Sequence, residues 1–180
     1  MQITLNLTKQ EIIEANRRAV EDGILQAILP SPNGSCNYRS EGGTRKCAIG
    51  CVLPDMLYHS AMEGDSVSRM MDSRAYPSQS NDGSSYEFLL VVDERSSNQW
   101  TTDLQRAHDQ WITGQDDEHH HMHDEAHANN RRVGKQRYAK MIYGESQSAW
   151  PALFDDVKGE EIKVISRDHR GFAANHSMKD

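Results

Sequence analysis

The central stretch of the chain, CNYRSEGGTRKCAIGCVLPD at residues 36–55, places two short arms around a glycine pair. Glycines supply the backbone conformations that tight turns require, so Glu41-Gly42-Gly43 predicts the turn of a β-hairpin. One arm of this hairpin covers residues 36–39, and the other covers residues 45–49. All the cysteines of the chain lie in this stretch, so the hairpin is predicted to carry them.

The hairpin brings Cys36, Cys47 and Cys51 toward one another. Cys36 and Cys47 lie on opposite arms, and Gly50 permits the chain to bend before Cys51. Converging thiols are typical either of compact apolar packing or of a structural zinc site, since zinc takes four tetrahedral ligands. The spacing lacks the C-x2-C pair of common zinc modules, which favours packing over zinc.

A zinc site in this segment needs a fourth ligand from elsewhere in the chain. His59 lies close in sequence, and His108 lies in a predicted helix that begins at Trp100. A third interpretation makes Cys51 a nucleophile, with His108 as its base and Asp109 as the orienting carboxylate. That chemistry requires an exposed thiol with a lowered pKa, so it is the least favoured of the three.

Four motifs of the chain resemble those of a widespread group of small proteins from tailed phages and bacteria. The motifs are CNYR at 36–39, KCAIGCVLPD at 46–55, Tyr58 followed by Met62-Glu63-Gly64, and DLQRAHD at 103–109. The resemblance covers residues 8–112 and implies no particular activity. It implies a helix, a cysteine-bearing hairpin, a short helix that opens on Pro-Asp and a helix with Leu-Gln-x-x-His-Asp. It also implies that His108 and Asp109 belong with the cysteine segment, which favours His108 over His59 as a ligand or packing partner.

Length and composition are those of one acidic domain. The 180 residues carry a net charge of −7, and a chain of this size buries about 70% of its extended surface. Proteins that bind nucleic acid nonspecifically are normally basic, so protein partners are favoured over nucleic acid. The chain starts without a signal sequence and contains no apolar run that could span a membrane, which predicts a reducing cytoplasm and free thiols.

The first helix carries the clearest local signal. Thr8 and Glu11 form a capping box, in which each side chain accepts a backbone N–H at the helix start. Apolar residues recur at helical spacing from there on, so a helix is predicted over 9–28, with Gly23 as an earlier break. Residues 2–6 before this helix predict a short edge strand.

Short elements follow this helix and the hairpin. The patterns predict a short helix opening at Leu53-Pro54-Asp55, helical turns at 65–73, a loop at 77–85, a buried strand or helix at 86–93, and a helix at 100–111 capped by Thr101 or Thr102. Residues 1–112 are therefore predicted to form a core domain that includes the cysteine hairpin.

Residues 113–180 are predicted to form a His-rich and basic extension, packed on the same domain. The segment 116–143 begins with acids and ends with bases, which complements a helix dipole. Gly134 weakens the middle of this segment, so one helix and two helices are both open. A short strand at 161–165 and a flexible tail are predicted to follow.

The histidine-rich stretch EHHHMHDEAH at 118–127 is a second candidate metal site. On a helix, His119, His123 and His127 fall on one face, and successive pairs could chelate a transition metal. A solvated helix face is the favoured interpretation of this stretch. A pH-sensitive interface is the third, because imidazoles titrate near neutral pH.

The basic stretch RRVGKQRYAK at 131–140 supplies candidate partner-binding residues. They are Arg131, Arg132, Lys135, Arg137 and Lys140. Clustered cations can bind phosphates or RNA. The acidic charge of the whole chain favours a solvated helix end over that role.

The chain is therefore predicted to be an α+β, predominantly helical domain with one small hairpin that carries the cysteines. It has no P-loop, no nucleotide-binding G-x-G-x-x-G and no G-x-S-x-G motif. The functional hypothesis is a non-catalytic, phage-type accessory protein that binds a host or defence protein in the host cytoplasm. The alternatives are a metal-dependent enzyme or nuclease that uses the His-rich segment, and a protein that sequesters a small ligand or nucleotide.

Overall fold

The computed structural model describes residues 2–25, 37–40, 42–58, 62–63, 66–71, 76–79, 85–92, 97–112 and 124–159, with the backbone alone at 2–3, 69, 76–79, 85–89, 97 and 124–127. The regular elements in these ranges are β1 Gln2–Leu7, α1 Lys9–Glu21, α2 Val67–Met70, β2 Tyr76–Gln79, β3 Ser85–Val92, α3 Ser97–Ile112, α4 Asp124–Tyr143 and the 3-10 helices Gln147–Ala149 and Ala152–Val157. Helices outweigh strands, so the chain is α+β and mostly helical, as predicted. The predicted strand at 161–165 lies outside the described residues.

The three strands form one sheet in the order β1-β3-β2. β1 runs parallel to β3, with Leu5 opposite Leu90 and Leu7 opposite Val92, and β2 runs antiparallel to β3. These four side chains share the face that packs on the core, because alternate residues of a strand point the same way. The register of β1 on β3 is therefore fixed by the side chains that it buries.

Two strand predictions are confirmed, and one loop prediction is wrong. The edge strand expected at 2–6 is confirmed by β1, and the strand alternative for 86–93 is confirmed by β3. The loop expected at 77–85 was wrong at both ends, since residues 77–79 belong to β2 and residue 85 begins β3. Proline and serine had favoured a loop there, but pairing with β3 at the opposite edge of the sheet overrides that local preference.

Helix α1 begins as predicted and ends earlier. The Glu11 carboxylate accepts from Thr8 N at 2.7 Å, and Thr8 Oγ1 accepts from Glu11 N at 3.2 Å, so the capping box is confirmed. The helix ends at Glu21, and Gly23 follows with a φ of 66°. The extension predicted as far as residue 28 was therefore wrong, and the break at Gly23 was the correct alternative.

The cysteine segment does not form the predicted hairpin. We call the described residues between 37 and 58 the cysteine turn. A single antiparallel bridge joins Arg39 to Lys46, and turns follow it instead of a second strand. Gly50 explains the difference, because a Cβ on it would lie 1.9 Å from the carbonyl oxygen of Tyr38. The second arm therefore folds back over the first. In a two-stranded ladder the two arms would lie side by side.

The expected helix at Leu53-Pro54-Asp55 is reduced to a single turn. Leu57 N and Tyr58 N both donate to the carbonyl oxygen of Pro54, at 3.0 and 3.1 Å, and the described residues 53–58 contain no regular helix. The helical turns predicted at 65–73 are confirmed by α2, which is one short helix.

Helix α4 packs along helix α3 with very little space between the two backbones. A Cβ on Gly134 would lie 2.5 Å from Trp111 N and 2.8 Å from the carbonyl oxygen of Ala107. Gly134 therefore lies inside one continuous helix and permits close contact with α3. The domain boundary at residue 112 stays a prediction, and α4 packs on α3 across it.

The predicted cap of α3 was wrong. α3 begins at Ser97, so Thr101 and Thr102 lie inside the helix, where Thr102 Oγ1 donates to the carbonyl oxygen of Asn98 at 3.0 Å. Among the described residues, no helix has the length and apolar character that crossing a membrane requires.

Candidate functional site

The thiols of Cys47 and Cys51 are hydrogen-bond donors inside the cysteine turn. Cys47 Sγ donates to Gln105 Oε1 at 3.3 Å, and Cys51 Sγ donates to the carbonyl oxygen of Ala48 at 3.1 Å. A sulfur can donate to a carbonyl oxygen only while it keeps its proton. The geometry therefore suits neutral, packed thiols.

Burial raises the pKa of both thiols, well above the usual range for Cys47 and to about 12 for Cys51. A nucleophilic cysteine needs the opposite shift, since the thiolate is the reactive form. No hydrogen bond between described residues joins Cys51 to His108. This arrangement therefore favours packed thiols over the catalytic trio of Cys51, His108 and Asp109.

His108 is buried in an aromatic cluster. Its side chain is 1% exposed, and its ring centroid lies 6.3 Å from that of Trp111 and 6.0 Å from that of Tyr138. Its Nδ1 lies 3.3 Å from Asp109 Oδ1, while its Nε2 makes no hydrogen bond with a described residue. The packing role that the resemblance offered for His108 fits this position.

The residue that joins α3 to the cysteine turn is Gln105, which the sequence patterns did not single out. Its Oε1 accepts from Cys47 Sγ and from Ile49 N at 3.1 Å, and its Nε2 donates to Asp109 Oδ1 at 2.5 Å. The DLQRAHD motif therefore contacts the cysteine turn through its glutamine. Because the buried amide both accepts and donates hydrogen bonds, it fixes the position of the cysteine turn on α3.

Asn16 and Tyr138 tie the cysteine turn to two further helices. Asn16 Nδ2 donates to the carbonyl oxygens of Ile12 and Ala48, at 2.8 and 3.0 Å, and Tyr138 Oη donates to Asn16 Oδ1 at 2.7 Å. Both side chains are fully buried. The only trace of this network in the sequence is an asparagine at a position where the periodicity of α1 calls for an apolar residue.

The candidate zinc sites stay predictions. Among the residues that the structure describes, no three His, Cys, Asp or Glu side chains lie close enough to hold a metal ion. Several candidate ligands fall outside the described part of the chain, and they are Cys36, His59, His119 and His123. His127 lies in α4, where the structure gives its backbone alone.

The outer side of the cysteine turn forms a pocket of about 430 Å³, which we call the Arg39 pocket. It is lined by Arg39, Ser40, Gly42, Gly43, Asp55 and Tyr58. The Arg39 guanidinium donates to Asp55 Oδ1 at 2.7 Å and to the carbonyl oxygen of Leu53, and it lies 4.5 Å from the centre of the Tyr58 ring. These contacts hold the cation in one place at the base of the pocket.

Glu63 supports the Arg39 pocket from below. Its carboxylate accepts from Tyr38 N at 2.6 Å, from Arg39 N at 3.1 Å and from Tyr58 Oη at 2.6 Å. Burial and this hydrogen bond raise the pKa of Tyr58, so its phenol stays neutral and keeps donating. One carboxylate thus fixes both the backbone and the aromatic wall of the pocket.

The rim of the Arg39 pocket is exposed and charged. Asp55, whose side chain is 83% exposed, accepts from Lys46 Nζ at 3.3 Å as well as from Arg39. The hydrogen bonds from Lys46 and Arg39 lower the pKa of Asp55. Its neighbour Met56 is 89% exposed, and Met56 and Leu153 are the large apolar side chains that stay exposed among the described residues.

The basic residues of α4 do not share one solvated face. Lys135 Nζ lies 2.7 Å from Asp156 Oδ1, and Arg132 Nη2 donates to the carbonyl oxygen of Asp156 at 3.2 Å. Lys140 lies 3.4 Å from Glu145, and Arg137 is exposed. Two of the predicted partner-binding cations therefore hold the second 3-10 helix against α4.

A second pocket, of about 250 Å³, lies between α3, α4 and that 3-10 helix. We call it the α4 pocket, and it is lined by Trp111, Ala128, Arg131, Arg132, Lys135 and Asp156.

Comparisons of the chain with protein-family models, with curated proteins and with solved structures found no match. The two pockets are therefore interpreted from their own chemistry.

Proposed function

We propose that this chain is a non-catalytic binding protein that recognises another protein through the surface around the Arg39 pocket. The observation that carries this proposal is the pocket with Arg39 and Tyr58 in its lining, together with the exposed Met56, which follows the lining residue Asp55 in the sequence. Arginine, tyrosine and methionine are enriched at the centres of protein interfaces. Residues of these types often supply most of the binding energy.

The rigidity of the pocket supports the same proposal. Arg39 is fixed by Asp55, by Leu53 and by the Tyr58 ring, and Tyr58 is fixed by Glu63. A partner that binds these side chains does not have to order them first, so less binding free energy is lost.

The chemistry of the reactive side chains supports binding over catalysis. Cys47 and Cys51 are protonated donors with raised pKa values, and His108 is enclosed by aromatic rings. The resemblance of four motifs to those of tailed-phage proteins, together with the free thiols, motivates the finer proposal of a phage-type accessory protein that acts in the host cytoplasm. The partner is then a host or defence protein.

The test compares two substitutions of exposed apolar residues. Met56→Asp alters the proposed surface, and Leu153→Asp is the matched control, because Leu153 is the other large apolar side chain that stays exposed in the described part of the chain, at 45%. A partner captured from bacterial lysate is identified, purified and titrated against each variant. We expect Met56→Asp to weaken binding at least tenfold and Leu153→Asp to leave it unchanged.

Three results would overturn the proposal. One is an equal loss of affinity in both variants, and another is full affinity in Met56→Asp. The third is a multiple-turnover reaction of the purified protein that Cys51→Ser or His108→Ala abolishes. Thermal unfolding of each variant separates a lost contact from a lost fold, and both exposed substitutions should leave the unfolding temperature unchanged.

A further inference from the structure

One part of α4 carries a local excess of positive charge in this acidic protein. The whole chain carries a net charge of −7, yet the segment 128–143 contains five cations and no carboxylate. Three of these cations, Arg131, Arg132 and Lys135, line the α4 pocket, and Asp156 is the acid among the lining residues. The lining side chains thus sum to a net charge of +2.

The cations of the α4 pocket are held in position. Lys135 is only 14% exposed, and its ammonium group lies 2.7 Å from Asp156 Oδ1 and 5.7 Å from the centre of the Trp111 ring. Arg132 donates to the backbone of Asp156, and Gln136 Nε2 donates to the carbonyl oxygen of Val157 at 2.9 Å. The 3-10 helix that forms one wall is therefore fixed to α4 by several hydrogen bonds.

We propose that the α4 pocket binds the phosphate group of a small phosphate monoester, such as a nucleoside monophosphate. A phosphate monoester carries a charge of about −1.5 to −2 at pH 7, which matches the charge of the lining side chains. Arginine and lysine are the side chains that bind phosphate oxygens most effectively, and Trp111 supplies an apolar wall beside them.

The size of the pocket favours a single phosphate group over a nucleic-acid strand. Its volume of about 250 Å³ lies just below the range of about 300–1,000 Å³ that is usual for drug-sized ligands. This space admits a phosphate group together with part of the sugar attached to it. A strand requires a longer groove that contacts several successive phosphates.

This inference goes beyond the proposed protein-binding function, because it concerns a different surface and a different class of ligand. The Arg39 pocket belongs to the cysteine turn, and the α4 pocket lies between α3, α4 and a 3-10 helix. Met56→Asp should leave phosphate binding unchanged, so failure of one proposal can be told apart from failure of the other.

The experiment titrates the full chain, at low salt, with inorganic phosphate, AMP and a single-stranded oligonucleotide that lacks a terminal phosphate. The pocket variant is Arg131→Gln, and the matched control is Arg137→Gln, which removes the same charge from an exposed position on the same helix. We expect AMP to bind saturably, with a Kd that rises at least tenfold in Arg131→Gln and less than about twofold in Arg137→Gln.

Asp156→Asn provides an independent test of the same pocket. Asp156 competes with the ligand for Lys135, so its neutral replacement should tighten AMP binding several-fold while asparagine still accepts from the lysine. The proposal is overturned if AMP and phosphate fail to bind, or if the two arginine variants lose affinity equally. It is also overturned if the oligonucleotide binds more tightly than AMP, which would assign the surface to nucleic acid. Unfolding temperatures without ligand confirm that each variant is folded.

Discussion

The cysteine turn and helix α4 both place polar side chains against α3, but they leave those side chains in different states. Cys47 and Ile49 of the turn donate to the buried Gln105, whose amide also reaches Asp109. Lys135 of α4 instead lies beside the Trp111 ring and pairs with an exposed carboxylate.

The two regions differ in where the hydrogen-bond and ion-pair partners of their polar side chains lie. In the turn, both thiols donate to oxygen atoms of the protein itself, so their hydrogen bonds lie within the fold. On α4, Lys135 lies in the lining of the α4 pocket and pairs with Asp156, whose side chain is 58% exposed. The type of a side chain therefore says less about its role than the position of its hydrogen-bond partner does.

The largest expected effect tests whether the turn is held by close packing. Gly50→Ala places a Cβ 1.9 Å from the carbonyl oxygen of Tyr38, so the two backbones must separate. We expect a loss of about 3 kcal/mol or more in the free energy of unfolding, measured by denaturant titration.

Gly43→Ala is the control for this substitution. A Cβ on Gly43 meets no atom within 4 Å, so the only cost is its positive φ of 71°, about 1 kcal/mol. If Gly50→Ala loses no more stability than Gly43→Ala, the close approach of Gly50 to Tyr38 does not hold the turn as proposed.

Gly50 also shows why the predicted hairpin failed where other predictions succeeded. The capping box at Thr8 and Glu11 depends on residues within one turn of helix, so the sequence is sufficient to predict it. The approach of Gly50 to Tyr38 is a tertiary contact between residues 12 apart, and no local pattern encodes it. For the same reason Gly134 resembled a helix breaker, although it lies inside α4 against α3.

The candidate site was predictable to a smaller extent. The sequence identified Cys47, Cys51 and His108 by their chemistry, and packing was the favoured role for the thiols. It gave no sign that Gln105 and Tyr138 complete their surroundings, because a glutamine and a tyrosine on a helix are ordinary surface residues until their partners are known. The pockets combine residues from separate segments, so they emerge only with the fold.

An intermediate effect tests the buried network that anchors the turn. Tyr138→Phe removes the hydroxyl that donates to Asn16 Oδ1 and leaves this buried oxygen without that hydrogen bond. We expect a loss of about 1–2 kcal/mol in the free energy of unfolding. The loss should shrink in an Asn16→Ala background, because the oxygen is then absent.

Tyr143→Phe is the matched control on the same helix. The Tyr143 hydroxyl is buried and makes no hydrogen bond with a described residue, so its removal should be neutral or slightly stabilising. A Tyr143→Phe variant as unstable as Tyr138→Phe would mean that the loss reflects the phenol itself and not its bond to Asn16.

The smallest effect concerns Asp55, the exposed acid of the cysteine turn. Hydrogen bonds from Lys46 and Arg39 lower its pKa below the usual 3.8, so its carboxylate stabilises the folded state above that pH. This contribution disappears as the pH falls through the lowered pKa, where both the folded and the unfolded chain bind the proton. Asp55→Asn should therefore be slightly less stable than the unmodified protein at pH 7, and the difference should shrink as the pH falls below about 3.8 and vanish below the lowered pKa. Thermal unfolding across this range measures it, and added salt at pH 7 should also reduce the difference, since exposed ion pairs are screened. A deficit in Asp55→Asn that persists in acid would show that the carboxylate acts through its shape and hydrogen bonds, and that its charge contributes nothing to the cysteine turn.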